Sequence, residues 1–317
     1  LVGAQSINDQ AIYEYPEATY DNSASYDYST WRYNQKMEAF AHDGKMYVSG
    51  SNGVYEMPPD ASSPKIRVYE RGYDSSSYHT DTAVSSNGTM YVFDYNHIDV
   101  HYLESGEDSA QTIPRPRDDS YEFQLAVSPA GVLSAADWRN TGDPSTTGWY
   151  VYEWDGSTWS GALVHPEGVE GYSHYRQAEY AIDPSGAQHL AYLNSAGGLR
   201  YLTDASSSGG TWTLEHSASI GATYNHMRGG MAMEVADDGD VHILYYDQSD
   251  DDLVHSRRID GNWFSTVVWN FDADDAYYNG IDMVLDEQGD PRMYAHVDQA
   301  QGDAMMIYYG SFSDPSI

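Results

Sequence analysis

Cysteine is absent from the 317 residues, so disulfides, zinc–thiolate sites and thiol nucleophiles are ruled out. Lysine is nearly absent: 3 Lys and 12 Arg stand against 49 Asp and Glu, for a formal net charge of −34. A surface this negative repels nucleic acid and anionic lipid, because phosphate binding needs clustered Lys and Arg. No window approaches 18 consecutive apolar residues, so no helix of this sequence spans a membrane. No helical hydrophobic period of useful length is visible, and no G-x-S-x-G nucleophile motif occurs.

What is present is a composition that buries a core. The hydrophobic fraction is 40%, and Tyr outnumbers Phe 30 to 6, which suits half-buried strands and surfaces that hold ligands through rings carrying a hydroxyl. The acidic balance with scarce Lys resembles proteins of marine or halophilic bacteria, where salt screens the self-repulsion. The sequence opens Leu1-Val2-Gly3 without Met, which reads as a trimmed N-terminus; with a removed signal peptide the expected location is secreted or periplasmic. A monomer is expected.

The stretch 231–263 shows the repeating unit. Met231, Met233 and Val235 alternate with small or polar residues, as in a strand with one buried face. Asp237-Asp238-Gly239-Asp240 is a tight turn, 241–246 a second strand, 253–258 a third, and Asp260-Gly261-Asn262 turns into a fourth that opens with Trp263. The pattern recurs. Strands are expected at 38–41, 46–49, 54–57 and 66–69; at 82–85, 90–94, 97–103 and 111–113; and at 124–127, 132–136, 149–154 and 159–164. They follow at 179–182, 189–193, 199–202 and 212–216, and at 282–285, 292–297 and 305–311. The turn glycines between first and second strands are Gly44, Gly88, Gly131, Gly186, Gly239 and Gly289, at intervals of 44, 43, 55, 53 and 50. This period is the signature of propeller blades. The expected fold is all-β: one domain, 1–317, a six-bladed β-propeller of four-stranded antiparallel blades. The last repeat is one strand short, and residues 10–15 are expected to supply the missing strand and latch the ring. The alternative is seven blades, with a degenerate repeat within residues 1–37.

The units resemble the sialidase-like (bacterial neuraminidase repeat) propellers. The resemblance rests on Asp183-Pro184-Ser185-Gly186-Ala187-Gln188-His189, on its shortened form Asp238-Gly239-Asp240-Val241-His242, and on the last turns Gly156-Ser157-Thr158-Trp159, Gly209-Gly210-Thr211-Trp212 and Gly261-Asn262-Trp263. The sialidase Asp box is degraded, with Ser207 at its Asp position, and no motif marks an arginine triad or a Tyr/Glu nucleophile pair. The resemblance implies a fold and a habit of handling glycans, and no particular reaction.

In this strand order the loops before the first strands and after the second strands share one face. Counting back from the turn glycines, Tyr33, Tyr175 and Tyr278 lie eleven residues before theirs, Tyr78 and Tyr121 ten before, and Arg228 takes the place in the fifth repeat. Either these tyrosines cap the core, or with their varied neighbours Asn34, His79, Glu122, Arg176 and Asn279 they wall a polar, aromatic pocket for a glycan or small molecule. Asp94, Asp137, Asp247 and Asp298 close the second strands on the same face, and Asp137-Trp138-Arg139 unites a carboxylate, a ring and a cation. For an enzyme of the glycoside hydrolase type, Glu122 or Asp137 is the acid/base candidate, with Arg176 or Arg228 holding an anionic sugar. For a polysaccharide lyase, Tyr78-His79 or His174-Tyr175 supplies the His/Tyr pair.

Metal readings stand beside these. His79, His174 and His226 come from three loops of that face and suit Cu or Zn. His97, Asp99 and His101 alternate on one strand face. Asp250–Asp252 and Asp272–Asp275 offer hard oxygen ligands for Ca without the EF-hand spacing. The sequence therefore leaves open a glycan-binding propeller, with or without catalysis, and a non-catalytic propeller that holds a metal or docks a protein through its acidic face.

Overall fold

The computed structural model describes residues 38–50, 53–57, 66–70, 81–94, 97–108, 112–117, 123–166, 178–194, 197–204, 211–220, 231–247, 249–250, 252–270, 277–285, 289–299 and 302–309. Regular structure among them is entirely β. The first blade comprises β1 (Glu38–His42), β2 (Lys45–Gly50), β3 (Gly53–Met57) and β4 (Ile66–Glu70). The second comprises β5 (Thr82–Val84), β6 (Thr89–Asp94), β7 (His97–Tyr102), β8 (Glu107–Asp108) and β9 (Ile113–Pro114). The third has β10 (Gln124–Val127), β11 (Leu133–Arg139), β12 (Gly148–Trp154) and β13 (Trp159–Pro166), and the fourth β14 (Ala178–Ile182), β15 (Gln188–Leu193), β16 (Gly198–Thr203) and β17 (Thr213–Ser219). The fifth has β18 (Met231–Val235), β19 (Val241–Asp247), β20 (Asp252–Ile259) and β21 (Asn262–Asn270); the sixth shows β22 (Tyr277–Leu285), β23 (Pro291–Gln299) and β24 (Gly302–Tyr309).

Every pairing within the blades is antiparallel between chain neighbours, apart from β9, which returns to β7. The first strands stand beside one another in a closed circuit: β1 by β5, then β10, β14, β18 and β22, and β22 again by β1. Among the described residues six blades complete this circuit, with β22 in contact with β1. The proposed latch strand at 10–15 lies outside the described residues.

The repeat period works through backbone geometry. All six turn glycines have positive φ, from 71° at Gly44 to 88° at Gly186 and Gly239. Such angles crowd a Cβ against the backbone, so glycine is the residue that lets the chain reverse within one turn. At Gly239 the turn is tied by Gly239 N–H donating to Ala236 O at 2.9 Å and Ala236 N–H donating to Asp240 O at 2.8 Å.

The outer seam carries a feature the sequence pattern does not show. In four blades the fourth strand holds one residue more than its partner at a bulge: Val68 in β4, Val164 in β13, Glu215 in β17 and Val268 in β21. A bulge adds twist and bends the strand. In the second blade the strand expected at 111–113 instead comes in two pieces, β8 and β9, both paired with β7. Pro114 and Pro116 lack the N–H that a continuous ladder needs there.

The core sits between blades. One cluster joins Tyr47, Val54 and Tyr69 of the first blade to Met90 and Val92 of the second. Others join Phe93 and Ile98 to Phe123 and Leu133, Trp149 and Val151 to Leu190 and Tyr192, Leu199 and Tyr201 to Ile243 and Tyr245, and Leu244 and Leu253 to Met283 and Met293. Successive strand residues point to opposite faces, so each blade sends one row forward and the other back. The Trp of each Gly-x-Trp-type turn joins this packing. Trp159 meets Trp154 at 5.4 Å and donates its indole N–H to Pro114 O at 2.6 Å across the blade boundary. Trp263 stacks on His216 of the preceding blade at 4.3 Å. In the turn before Trp159, Asp155 accepts from the backbone N–H groups of Thr158 and Ser157, and those bonds hold its carboxyl down at about 2.

Candidate functional site: the rim of the third blade

The N-terminal ends of first strands and the C-terminal ends of second strands lie on one face. Tyr33, Tyr78, His79, Tyr121, Glu122, His174, Tyr175, Arg176, His226 and Arg228 lie outside the described residues. Tyr278 belongs to β22, where it pairs with Val297 beside a register shift. Asp94, Asp137, Asp247 and Asp298 all sit near the ends of second strands, paired with His97, Tyr150, Asp252 and Asp303 respectively.

The third blade displays this face in most detail. Asp137 pairs with Tyr150 and Arg139 with Gly148, so these four share one strand face, turned towards the second blade. Trp138, between them in sequence, points the other way and packs on the cluster around Trp149 and Tyr192. The carboxylate and the cation are therefore brought together, and the indole lies on the opposite side of the sheet.

Asp137 is 1% exposed, and its Oδ2 accepts from Arg117 Nη1 at 2.7 Å. Arg117 follows the broken outer strand of the second blade, so the ion pair ties two blades at their rim. Tyr152 lies two positions along the same face; burial, and then the Asp137 carboxylate, push its hydroxyl up to about 12, so it stays protonated. The Asp137 carboxylate is thus enclosed and engaged by a guanidinium, and the group presented to solvent is Arg139.

Arg139 is exposed and its guanidinium carbon lies 5.5 Å from the centre of the Tyr150 ring, within cation–π range. The ring is fixed in turn: the Tyr150 hydroxyl donates to Thr146 O at 2.8 Å, and Tyr152 stacks behind it at 6.3 Å. The loop carrying Thr146 is held by its own short side chains. Asn140 Oδ1 accepts from Gly142 N–H at 2.9 Å, Asp143 Oδ1 from Ser145 N–H at 2.9 Å, and Thr147 Oγ1 from Thr141 N–H at 3.1 Å. The result is a preorganised rim: a cation laid on an aromatic ring, edged by Asn, Thr and Ser. Such a surface offers N–H donors to ligand oxygens with little side-chain ordering left to do.

Arg117, Tyr150 and the 140–147 loop are absent from the sequence-derived candidates. Period-two alternation was the available signal for separating Trp138 from its neighbours; nothing local pairs Arg117 with Asp137, twenty positions on.

The row His97, Asp99, His101 faces the first blade. His97 Nε2 lies 3.0 Å from Asp99 Oδ1, Tyr69 donates its hydroxyl to Asp99 Oδ2 at 2.5 Å, and buried His101 meets the Tyr69 ring edge-on at 5.8 Å. Asp99 and His101 thus join the two blades through Tyr69, and His97 sits on Asp99. Among the described residues no three His, Asp or Glu side chains gather as a metal site would require, and no helix is long and apolar enough to cross a membrane.

No protein-family model matches the chain, and no curated protein sequence does. By fold it is similar to AofleA from Arthrobotrys oligospora, with a TM-score of 0.57 at 10% identity over 90% of this chain and 88% of the other. It is similar to the SapL1 lectin in complex with alpha methyl fucoside, with a TM-score of 0.53 at 10% identity over 86% and 95%. A third likeness is to the Aleuria aurantia lectin, a fungal lectin described by its six-bladed β-propeller and fucose recognition, with a TM-score of 0.50 at 11% identity over 90% and 98%. At these identities the likeness establishes the fold.

Proposed function

We propose that the protein is a glycan-binding propeller whose sugar lodges at the rim formed by the loops between second and third strands, with Arg139 as the principal polar contact of the third blade. The observation that carries this reading is the fixed stack of Arg139 on Tyr150 beside the self-bonded 140–147 loop. A guanidinium held in place donates to paired sugar hydroxyls without first being ordered. The fold likeness to propellers that bind fucosides supports the same reading, as does the resemblance of the Gly-x-Trp turns to sialidase-like repeats. Binding rather than cleavage is the activity proposed, since the one described acid/base candidate, Asp137, is enclosed by Arg117.

Glycan-array binding tests this. The parent should bind at least one glycan class, and Arg139→Gln should weaken that binding about tenfold, the effect of one charge-assisted contact, while melting like the parent. Failure of the parent to bind any class, or unchanged binding by Arg139→Gln, would overturn the assignment.

A further inference from the structure

A second rim site lies on the fourth blade. A groove of about 270 Å³ is lined by Asn194, Gly198, Arg200, Ser217, Ala218 and Ser219. Asn194 and Gly198, which line it, are tied together: Asn194 Oδ1 accepts from Gly198 N–H at 2.9 Å, and Gly197 N–H donates to Asn194 O at 3.1 Å. Gly198 pairs with Ser219 and Arg200 with Ser217, so the guanidinium and both hydroxyls rise from one strand face. Gly198 leaves the space between them open: a Cβ there would stand 3.5 Å from Arg200 Nη1 and 3.3 Å from Asn194 Oδ1.

The charge of Arg200 is what sets the groove apart. Carboxylates outnumber cations 49 to 15 in this chain, and four described cations are matched: Lys45 with Glu56, Arg117 with Asp137, Arg257 with Asp240, Arg258 with Glu215, whereas Arg139 lies on the Tyr150 ring. Arg200 has no carboxylate partner among the described residues, and the groove lining contains no acidic residue. A partly buried guanidinium flanked by two hydroxyls is a set of donors, and its complement is an oxyanion.

We propose that this groove is a subsite for an anionic substituent, a uronate carboxylate or a sulfate ester, on the glycan. It rests on the glycan-binding reading above and adds the substrate class. Two oxygens of the anion meet the guanidinium fork, and Ser217 and Ser219 donate to the third terminal oxygen of a sulfate ester or to the outer lone pairs of a carboxylate.

The test compares binding of the full chain to pectate, fucoidan and heparin with binding to their carboxyl-reduced or desulfated forms. The parent should prefer the charged form of at least one polysaccharide by about tenfold or more, the size of a charge-assisted contact. Arg200→Gln should abolish that preference while binding the uncharged form as the parent does, and Ser217→Ala with Ser219→Ala should reduce the preference in part. Pectate and fucoidan separate carboxylate from sulfate. Equal binding of charged and uncharged forms by the parent, or a preference that survives in Arg200→Gln, would overturn this subsite and leave the glycan-binding reading standing. Failure to bind any of them in either form, together with a blank glycan array, would overturn both.

Discussion

Arg258 on β20 and Glu215 on β17 meet across the boundary between the fourth and fifth blades, Nε to Oε2 at 2.9 Å. Glu215 is the extra residue of its strand's bulge, so the bulge aims a carboxylate at the neighbouring blade. Both side chains are about one-fifth exposed (21% and 17%), so water screens the pair incompletely. Glu215→Ala should lower stability by about 1–2 kcal/mol, because Arg258 is left partly buried without its partner. Thermal unfolding checks this, and a variant that melts with the parent would show the pair to be idle.

Asp137 and Arg117 form the corresponding tie between the second and third blades, more deeply buried, at 2% and 14% exposure. Asp137→Ala should cost about 3 kcal/mol by leaving the guanidinium uncompensated. Denaturant unfolding at neutral pH measures it. The contrast with Arg139→Gln is informative: loss of stability in the first and loss of binding in the second would separate the strut from the contact.

The fifth blade buries an imidazole pair. His242 Nδ1 and His255 Nε2 lie 3.1 Å apart with the rings stacked at 5.2 Å, and both residues are at most 2% exposed. Burial, then the neighbouring charges, lowers their pKa values to about 4 and about 3. Well above pH 6.5 the imidazoles are neutral in folded and unfolded chains alike, and their burial carries no protonation penalty. As pH falls from there towards about 4, the unfolded chain takes up protons that the folded one refuses, so stability declines. The slope of unfolding free energy between pH 7 and 4.5 should be shallower in His242→Gln with His255→Gln than in the parent. An identical slope in the two proteins would place the acid sensitivity elsewhere.

Gly148 is required for space rather than for φ. A Cβ built there would stand 2.0 Å from His165 O, a backbone atom of the paired strand. Gly148→Ala should cost about 2–4 kcal/mol as β12 and β13 are pushed apart. Gly156, at φ 95° with nothing within 4 Å of a built Cβ, should lose only about 1 kcal/mol on the same change. Chemical denaturation of the two variants side by side decides between crowding and backbone strain.

The ring was legible because its punctuation is local. Six glycines at near-regular intervals mark six reversals, and all six take the positive φ that such a turn needs. The broken outer strand of the second blade was hinted at by Pro114 and Pro116, yet the bulges at Val68, Val164, Glu215 and Val268 leave no trace in the pattern, since valine and glutamate are ordinary strand residues. The rim was legible only in part. Asp137 and Arg139 could be placed on the right face by alternation, but the partner that encloses Asp137 comes from another blade. Arg200 carried no local signal; its distinction is that no carboxylate partner meets it among the described residues, which a sequence so rich in acids cannot reveal.

The hydrophobic clusters lie between strands of adjacent blades, and the exposed residues of the 140–147 loop take no part in them. Changes in such a loop are therefore insulated from folding: a substitution at one exposed position alters the surface of that rim without disturbing the packing that holds its neighbours. The scaffold and the 140–147 rim are thus separable parts, so the surface chemistry of this edge can be changed while the inter-blade clusters stay as they are.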